Sequence, residues 1–252
     1  MPFSSRSYVN RYIPSNRFPV GLKWLLIVNT AIFVVSILAE RQIGPVFENF
    51  ALVPAQVVHT FALWQLVTYM FIHVGFSHIL WNMLALWMFG AQLERIWGTR
   101  RFLRFYFACG VFAALTVIVC AYVFSGTNIR TVGSSGAIYG ILVAYGLMFP
   151  DQTILFGFLI PMKSKYFVMI MGGIVFLQSY MATVGGRGSS VAVVAHLGGL
   201  VAGYLLLRGR RLRAQVVQPV VSGYKDWKLR RAKKKFEVYL RKQNSDRDRW
   251  VH

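Results

Sequence analysis

Residues 191–207 read VAVVAHLGGLVAGYLLL, an apolar stretch with one ionisable side chain, His196, near its start. Small residues recur every four positions at Ala195, Gly199 and Gly203, which places them on one face of a helix. Such a face lets a second helix approach closely. A histidine inside a membrane-length apolar helix is costly and therefore indicates a functional site. This stretch predicts a closely packed transmembrane helix that carries a reactive group.

The composition of the whole chain predicts an integral membrane protein. Of its 252 residues, 56% are hydrophobic and only 14% are charged, whereas soluble domains carry roughly 25% charged residues. We therefore expect an all-α fold, a polytopic bundle of six transmembrane helices, because six apolar stretches approach the length of a membrane span. These stretches are Leu22–Ala39, His78–Leu93, Phe102–Phe124, Ser135–Phe149, Tyr166–Thr183 and Val191–Leu207.

The positive charges predict the topology and three regions of the chain. If the N-terminus is cytoplasmic, 25 of the 28 Lys and Arg residues fall on the cytoplasmic side, as the positive-inside rule requires. We therefore expect both termini in the cytoplasm and an uncleaved first span. The expected regions are a cytoplasmic N-terminal segment (1–21), a membrane domain (22–208) and a basic cytoplasmic tail (209–252).

The basic tail has two interpretations. From Arg208 onward it holds 15 Lys and Arg residues against four acids, a charge that attracts anionic lipid headgroups by about 1 kcal/mol per nearby residue. Alternatively, the tail is solvated and only enforces the topology. Nucleic acid is not an expected partner, although the net charge is +20, because no nucleic-acid recognition module is legible.

Two spans, His78–Leu93 and Ser135–Phe149, are only about 15 residues long. At 1.5 Å per residue they reach about 22 to 24 Å, which is less than a bilayer core of about 30 Å. Each is therefore expected to begin below the membrane surface. The polar segment Ser125–Ser134 then lies at membrane depth, where non-helical backbone needs protein cover or a water-filled cavity. We expect a cavity there.

The fourth span begins with the sequence GSSG at residues 133–136. Glycine permits a tight turn and a close approach of substrate, and N–H groups at a helix start can stabilise an oxyanion. Alone, this sequence is also typical of a helix N-cap with small-residue packing. Gly136 and Gly140, however, form a small face beside Ser135 that matches the one beside His196. We therefore expect the Ser135 and His196 side chains within hydrogen-bond reach, about 2.6 to 3.2 Å.

Polar side chains of three spans fall at one depth. Counted from the cytoplasmic helix ends at 1.5 Å per residue, His196, Ser135 and His78 lie about 18, 22 and 24 Å up. Asn82 shares a helix face with His78, because the two are four residues apart. Imidazole and amide N–H groups suit an oxyanion hole, although such a pair also forms ordinary interhelical hydrogen bonds of about 0.6 kcal/mol.

The chain has no carboxylate at this depth. We therefore expect a Ser–His dyad, in which neutral His196 removes the Ser135 proton and later protonates a leaving amine. The acids that precede the tail lie in the external loop (Glu40, Glu48) and at cytoplasmic helix ends (Glu94, Asp151).

Together, these motifs resemble the rhomboid intramembrane serine proteases. The motifs GSSG (133–136), His78-x-x-x-Asn82 and AHLGGLVAG (195–203) occur in the family's order on spans two, four and six. The resemblance covers residues 22–208 and implies an intramembrane serine endopeptidase that cleaves transmembrane segments of other membrane proteins. It also implies a location in the bacterial inner membrane, because the expected core has six spans and no extra helix.

The resemblance implies a role for each motif residue. Ser135 would be the nucleophile and His196 the general base, and Tyr139 matches a tyrosine that packs against the catalytic histidine. No metal and no organic cofactor are expected. The oxyanion hole would comprise His78, Asn82 and the Ser135 backbone N–H, with Gly133, Gly136 and Gly199 as supporting residues.

Three other features of the sequence bear on this resemblance. Gln65 follows Trp64 where the family often has Arg, a departure that affects the external loop rather than the dyad. His73 and Glu94 match polar positions of the family and are expected to form structural hydrogen bonds. The glycines between spans five and six resemble a mobile cap over the site: Gly185, Gly186 and Gly188.

Two other functions remain as alternatives. A catalytically silent rhomboid-like protein would bind transmembrane clients without cutting them, but such relatives typically lack the serine or the histidine. A channel or transporter would need polar residues along a path through the bilayer, and the inner halves of the spans offer none that is obvious.

Overall fold

The structure is a computed structural model that describes residues 18–39, 46–156, 159–184 and 190–212. The expected N-terminal segment up to residue 17, the glycines at 185, 186 and 188, and the tail from residue 213 lie outside the described residues. The helices are α1 (Val20–Leu38), α2 (Pro54–His59), α3 (Gln65–Thr68), α4 (Phe76–Trp97), α5 (Thr99–Cys120), α6 (Ser135–Met148), α7 (Ser164–Val184) and α8 (Ser190–Leu212).

The described helices fit an integral membrane protein. By length and composition, α1 and Thr99–Phe124 can each cross a membrane, and Gln65–Phe71 with Phe76–Trp97 gives a third span if that bent pair is one. Shorter apolar helices occur at Ser135–Met148, Ser164–Gln178 and Val193–Gly209. The fold is therefore largely helical, with two to three apolar spans, and the bundle of six spans stays a prediction.

Helix α4 corrects the expected length of the second span. It has 22 residues, so the expectation of a short helix was wrong there, whereas α6 has 14 residues and is short as expected. The apolar stretch stops before Glu94, but the helix does not, because the buried Glu94 carboxylate has partners. It accepts hydrogen bonds from the Gly21 and Leu22 N–H groups at 2.8 and 2.7 Å, in the first turn of α1, whose N–H groups lack intrahelical acceptors.

Helix α6 lies at the centre of the bundle. Ten of its 14 residues are buried, as expected for a helix that is apolar on all sides. It packs against α4, α5 and α7. Because its first residue is Ser135, the central helix places this side chain at one end of the core.

A small sheet interrupts the all-α fold that the sequence predicted. Strands β1 (Thr153–Phe156) and β2 (Ile160–Lys163) pair antiparallel, with Thr153 opposite Lys163. The expectation of an all-α fold was therefore wrong between α6 and α7. The stretch TILF at 153–156 contains the β-branched and aromatic residues that favour strands.

The segment before α6 is held by the stretch between α1 and α4. Leu52 and Thr131 exchange two backbone hydrogen bonds of 2.9 Å, and the Gly133 N–H donates to the Tyr69 carbonyl at 2.8 Å. Protein therefore covers this polar backbone, which is one of the two ways to tolerate it at membrane depth. The cavity expected at Ser125–Ser134 lies instead on another side of Ser135.

Candidate active site

The structure brings Ser135 and His196 together. The His196 Nε2 atom lies 2.8 Å from the Ser135 Oγ atom, within the range for a nucleophile and its base. Ser135 is the first residue of α6, and His196 lies in α8. The two side chains are 61 positions apart in the sequence, so the approach of the two helices creates this pair.

Glycines set the distance between α6 and α8. A Cβ atom on Gly199 would collide with the Gly136 carbonyl oxygen, and one on Gly203 would lie 2.7 Å from the Gly140 carbonyl oxygen. Real Cβ atoms essentially never come that close to a backbone oxygen. The two helices therefore touch backbone to backbone, along the small faces that the sequence predicted.

Tyr139 packs on the His196 ring. The ring centroids are 4.6 Å apart and the planes are inclined by 34°. Tyr139 lies one turn after Ser135 on α6 and therefore faces the same side of the helix. The tyrosine restricts the orientation of the imidazole that contacts Ser135.

His78 and Asn82 lie on α4 beside Gly133. A Cβ atom on Gly133 would lie 2.6 Å from the His78 Nε2 atom and 3.8 Å from the Asn82 Nδ2 atom. Gly133 also has a φ of +109°, which glycine adopts without the steric cost of a side chain. The Asn82 Nδ2 donor is buried and has no hydrogen-bond partner among the described residues. A donor of this kind is available for an oxyanion.

A cavity of about 600 Å³ adjoins these side chains. Ser135, His196, His78, Asn82 and Tyr139 all line it. The remaining lining comes from α4, α6, α7 and β1 and is mostly apolar. In the described part of the chain, no group of three His, Cys, Asp or Glu side chains is placed to hold a metal ion.

Comparison with known proteins identifies the family. The family model for the rhomboid domain matches residues 60–211, which contain all the site residues described above. The chain belongs to the rhomboid family.

Several rhomboid relatives match more than half of this chain. Two proteins of Bacillus subtilis (strain 168), YdcA and the rhomboid protease GluP, are 32% and 33% identical over 143 and 141 residues. These matches cover 57% and 56% of this chain but 65% of YdcA and 25% of GluP, in each case less than two thirds of the relative. Rhomboid-like protease 3 of Toxoplasma gondii is 23% identical over 209 residues, 80% of this chain and 73% of that protein.

Gln65 departs from the Trp-Arg pattern that the resemblance led us to expect. Its side chain is fully buried. The Oε1 atom accepts the Val53 N–H at 3.0 Å, and the Nε2 atom donates to the Asn49 carbonyl at 3.1 Å and to Gln56 Oε1 at 2.5 Å. In this rhomboid, a neutral amide therefore holds together the stretch between α1 and α4 that covers the segment before Ser135.

Sequence reasoning did not assign a role to Ser134. This side chain is fully buried, and its Oγ atom lies 3.5 Å from the His73 Nε2 atom. The His73 ring lies edge-on to His78, with centroids 5.0 Å apart. Ser134 and His73 thus support the α4 side of the site. The resemblance indicated a structural role for His73, whereas only its polarity in an apolar context could have indicated Ser134.

Proposed function

We propose that this rhomboid is an intramembrane serine endopeptidase in which Ser135 and His196 form the catalytic dyad. The contact of 2.8 Å between His196 Nε2 and Ser135 Oγ carries the proposal. The names of relatives such as the rhomboid protease GluP support it. The proposed substrates are transmembrane segments of other membrane proteins, because the cavity beside the dyad is mostly apolar.

The first half of the proposed reaction forms an acyl-enzyme. The Ser135 Oγ atom attacks the carbonyl carbon of the scissile peptide bond while its proton passes to the His196 Nε2 atom. The tetrahedral intermediate collapses, the C–N bond breaks, and His196 gives the proton to the leaving amine. A water molecule, activated by His196 in the same manner, then hydrolyses the acyl-enzyme and frees Ser135.

The negative oxygen of the tetrahedral intermediate needs donors. The Ser135 backbone N–H lies at the start of α6, where N–H groups have no intrahelical acceptor. His78 and Asn82 face the same cavity from α4, and the Asn82 Nδ2 donor has no other acceptor among the described residues. Donors already aimed at the developing charge are the largest catalytic contribution in many enzymes.

The proposed dyad operates without a third acidic member. Within the described residues no carboxylate lines the cavity. Glu94 is engaged with α1, and Glu48 pairs with Arg130 at 2.8 Å in the external loop. The Tyr139 ring takes over the orienting part of the acid's role, because it packs on the imidazole of His196.

The topology is proposed together with the chemistry. Six spans over residues 22–208 with both termini cytoplasmic would place 25 of 28 Lys and Arg residues in the cytoplasm. The dyad then lies toward the extracytoplasmic face of a bacterial inner membrane. In this topology the basic region from residue 209 is cytoplasmic, and its charge either attracts anionic lipid headgroups or only enforces the orientation.

A serine-reactive fluorophosphonate tests the dyad without a known substrate. We expect the purified protein to be labelled, and Ser135→Ala and His196→Ala to abolish labelling while the proteins stay folded. Ser36→Ala in α1 is the matched control, since it removes a hydroxyl that bonds the Phe33 carbonyl away from the cavity, and we expect it to retain labelling. Labelling that persists in either dyad variant, or that is absent from folded wild type, contradicts the proposal.

A further inference from the structure

The cavity extends far beyond the dyad. Its lining on α4 runs from Ser77 to Phe89, which corresponds to about 18 Å along the helix axis. Ser135 and His196 lie at one end, and residues from the strand β1 also contribute to the lining. One continuous space therefore connects the proposed catalytic serine with the small sheet between α6 and α7.

The chemistry of the lining changes along this space. The polar side chains, including His78 and Asn82, cluster around Ser135. Toward the other end the lining is apolar and includes Phe89 from α4, Phe167 from α7, and Ile154 and Leu155 from β1. An occupant that reaches from Ser135 to β1 must therefore be apolar over most of its length.

The base of the sheet is fixed to the start of α7. The Asp151 carboxylate bonds Lys165 at 2.8 Å and Lys163 at 3.3 Å. The Ser164 N–H donates to the Gln152 carbonyl at 2.9 Å, and the Lys165 N–H donates to the Pro150 carbonyl at 3.2 Å. These contacts hold β1 in place as a wall of the cavity.

We infer that β1 forms the inner wall of the substrate groove and that Ile154 and Leu155 are specificity-determining residues. The occupant is the apolar part of a transmembrane polypeptide that lies deeper in the membrane than the scissile bond. This inference rests on the proposed function, because the groove is continuous with Ser135. A length of about 18 Å accommodates about 12 helical residues or about five extended ones.

Two fluorophosphonates of different length test the reach of the groove. We would compare an ethyl reagent with a tetradecyl reagent, whose extended chain approximates the length of the cavity, in wild type, Leu155→Asp and Leu159→Asp. Leu159 is the matched control, because it belongs to the same hairpin, is 85% exposed and does not line the cavity. The measurement is the ratio of the two labelling rates, tetradecyl over ethyl.

The ratio is expected to fall about tenfold or more in Leu155→Asp, since a carboxylate in the apolar wall is costly to desolvate. It is expected to stay at the wild-type value in Leu159→Asp. Leu155→Trp, which shortens the groove without a charge, is a second variant that should lower the ratio. Equal ratios in wild type and both Leu155 variants overturn the inference, whereas unlabelled wild type overturns the proposed function as well.

A membrane-spanning peptide tests the identity of the occupant. A synthetic peptide of about 20 alternating Leu and Ala residues spans the bilayer core. We expect it to slow labelling by the ethyl reagent several-fold in wild type and in Leu159→Asp, and to slow it less in Leu155→Asp. If the peptide has no effect on wild type, the cavity is assigned to lipid acyl chains and the inference is wrong.

Discussion

The two sides of α6 differ in how closely they are packed. On the α8 side, Gly136 and Gly199 bring the two backbones so close that even a methyl group does not fit. On the side of α4 and α7, a cavity of about 600 Å³ lies against the same helix. The contact of α6 with α8 therefore holds the two proposed catalytic side chains in position, whereas the side toward α4 and α7 leaves space for a substrate.

We expect the largest loss of activity from a substitution that disrupts the close contact between α6 and α8. Gly199→Ala would force α8 away from α6, because its Cβ atom collides with the Gly136 carbonyl oxygen. A displacement of about 1 Å at reacting groups can cost about a hundredfold in rate, and we expect at least this loss in the rate of fluorophosphonate labelling. Gly172→Ala and Gly173→Ala in α7 are matched controls, since neither glycine has neighbours within 4 Å. If Gly199→Ala is labelled at the control rate, the close contact between α6 and α8 does not position Ser135 and His196.

The second effect concerns the open side, where Asn82 faces the cavity. Asn82→Ala removes one proposed oxyanion donor, and such donors contribute about 2.7 to 4 kcal/mol, or about a hundredfold to a thousandfold in kcat. We expect a loss of this size in turnover with the fold preserved. Asn29→Ala is a control, because Asn29 is also buried but bonds the Leu25 carbonyl in α1, away from the cavity. Equal rates for wild type and Asn82→Ala would remove this side chain from the oxyanion hole.

The third effect concerns the stretch between α1 and α4 that holds the segment before Ser135. Gln65→Ala leaves the buried Val53 N–H without its side-chain acceptor. A buried group left unsatisfied costs about 1 to 3 kcal/mol, so we expect the free energy of unfolding to fall by about this amount. Denaturation in detergent measures it, with the exposed Gln178→Ala as control. A Gln65→Ala variant as stable as this control would show that the loop does not depend on the amide.

We expect the smallest effect, a change in stability, at the sheet of β1 and β2, which lies away from the contact between α6 and α8. Hydrogen bonds from Lys165 and Lys163 hold the pKa of the Asp151 carboxyl below its ordinary value. A carboxyl with a lowered pKa stabilises the fold above its unfolded pKa, about 3.9, and loses this contribution as the pH falls through the folded value. Asp151→Asn should therefore lower the melting temperature slightly at pH 7 and not at pH 2. A difference that is larger at pH 2 would contradict the ion pairs.

The sequence predicted the close packing of α6 against α8, but it did not predict the cavity between α6, α4 and α7. Gly199 and Gly203 recur at a helical period within one segment, so a local pattern predicted a face that the structure places against α6. The length of α4 depends instead on Glu94, whose partners at Gly21 and Leu22 lie more than 70 positions away. Short-range patterns do not contain such contacts.

The strand β1 was overlooked for a related reason. Thr153 and Ile154 favour a strand locally, but a stretch of four residues between two apolar helices is too short to stand out by period alone. The role of Gln65 was equally hidden, because its partners at Val53, Asn49 and Gln56 lie 9 to 16 positions away in a loop. The sequence indicated the candidate dyad. The elements around it, such as β1 and the segment held by Gln65, depend on tertiary contacts that the sequence pattern does not contain.

Mapping the fluorophosphonate adduct by mass spectrometry tests directly whether Ser135 is the activated nucleophile. We expect a single adduct on Ser135, because among the serines that the structure describes only this one lies 2.8 Å from the His196 imidazole nitrogen. Two neighbouring serines serve as internal controls in the same digest: Ser77, which lines the same cavity, and Ser134, which adjoins Ser135 in the chain. An adduct on either of these, or none in protein shown to be folded, would contradict the claim that the contact between α6 and α8 creates the nucleophile.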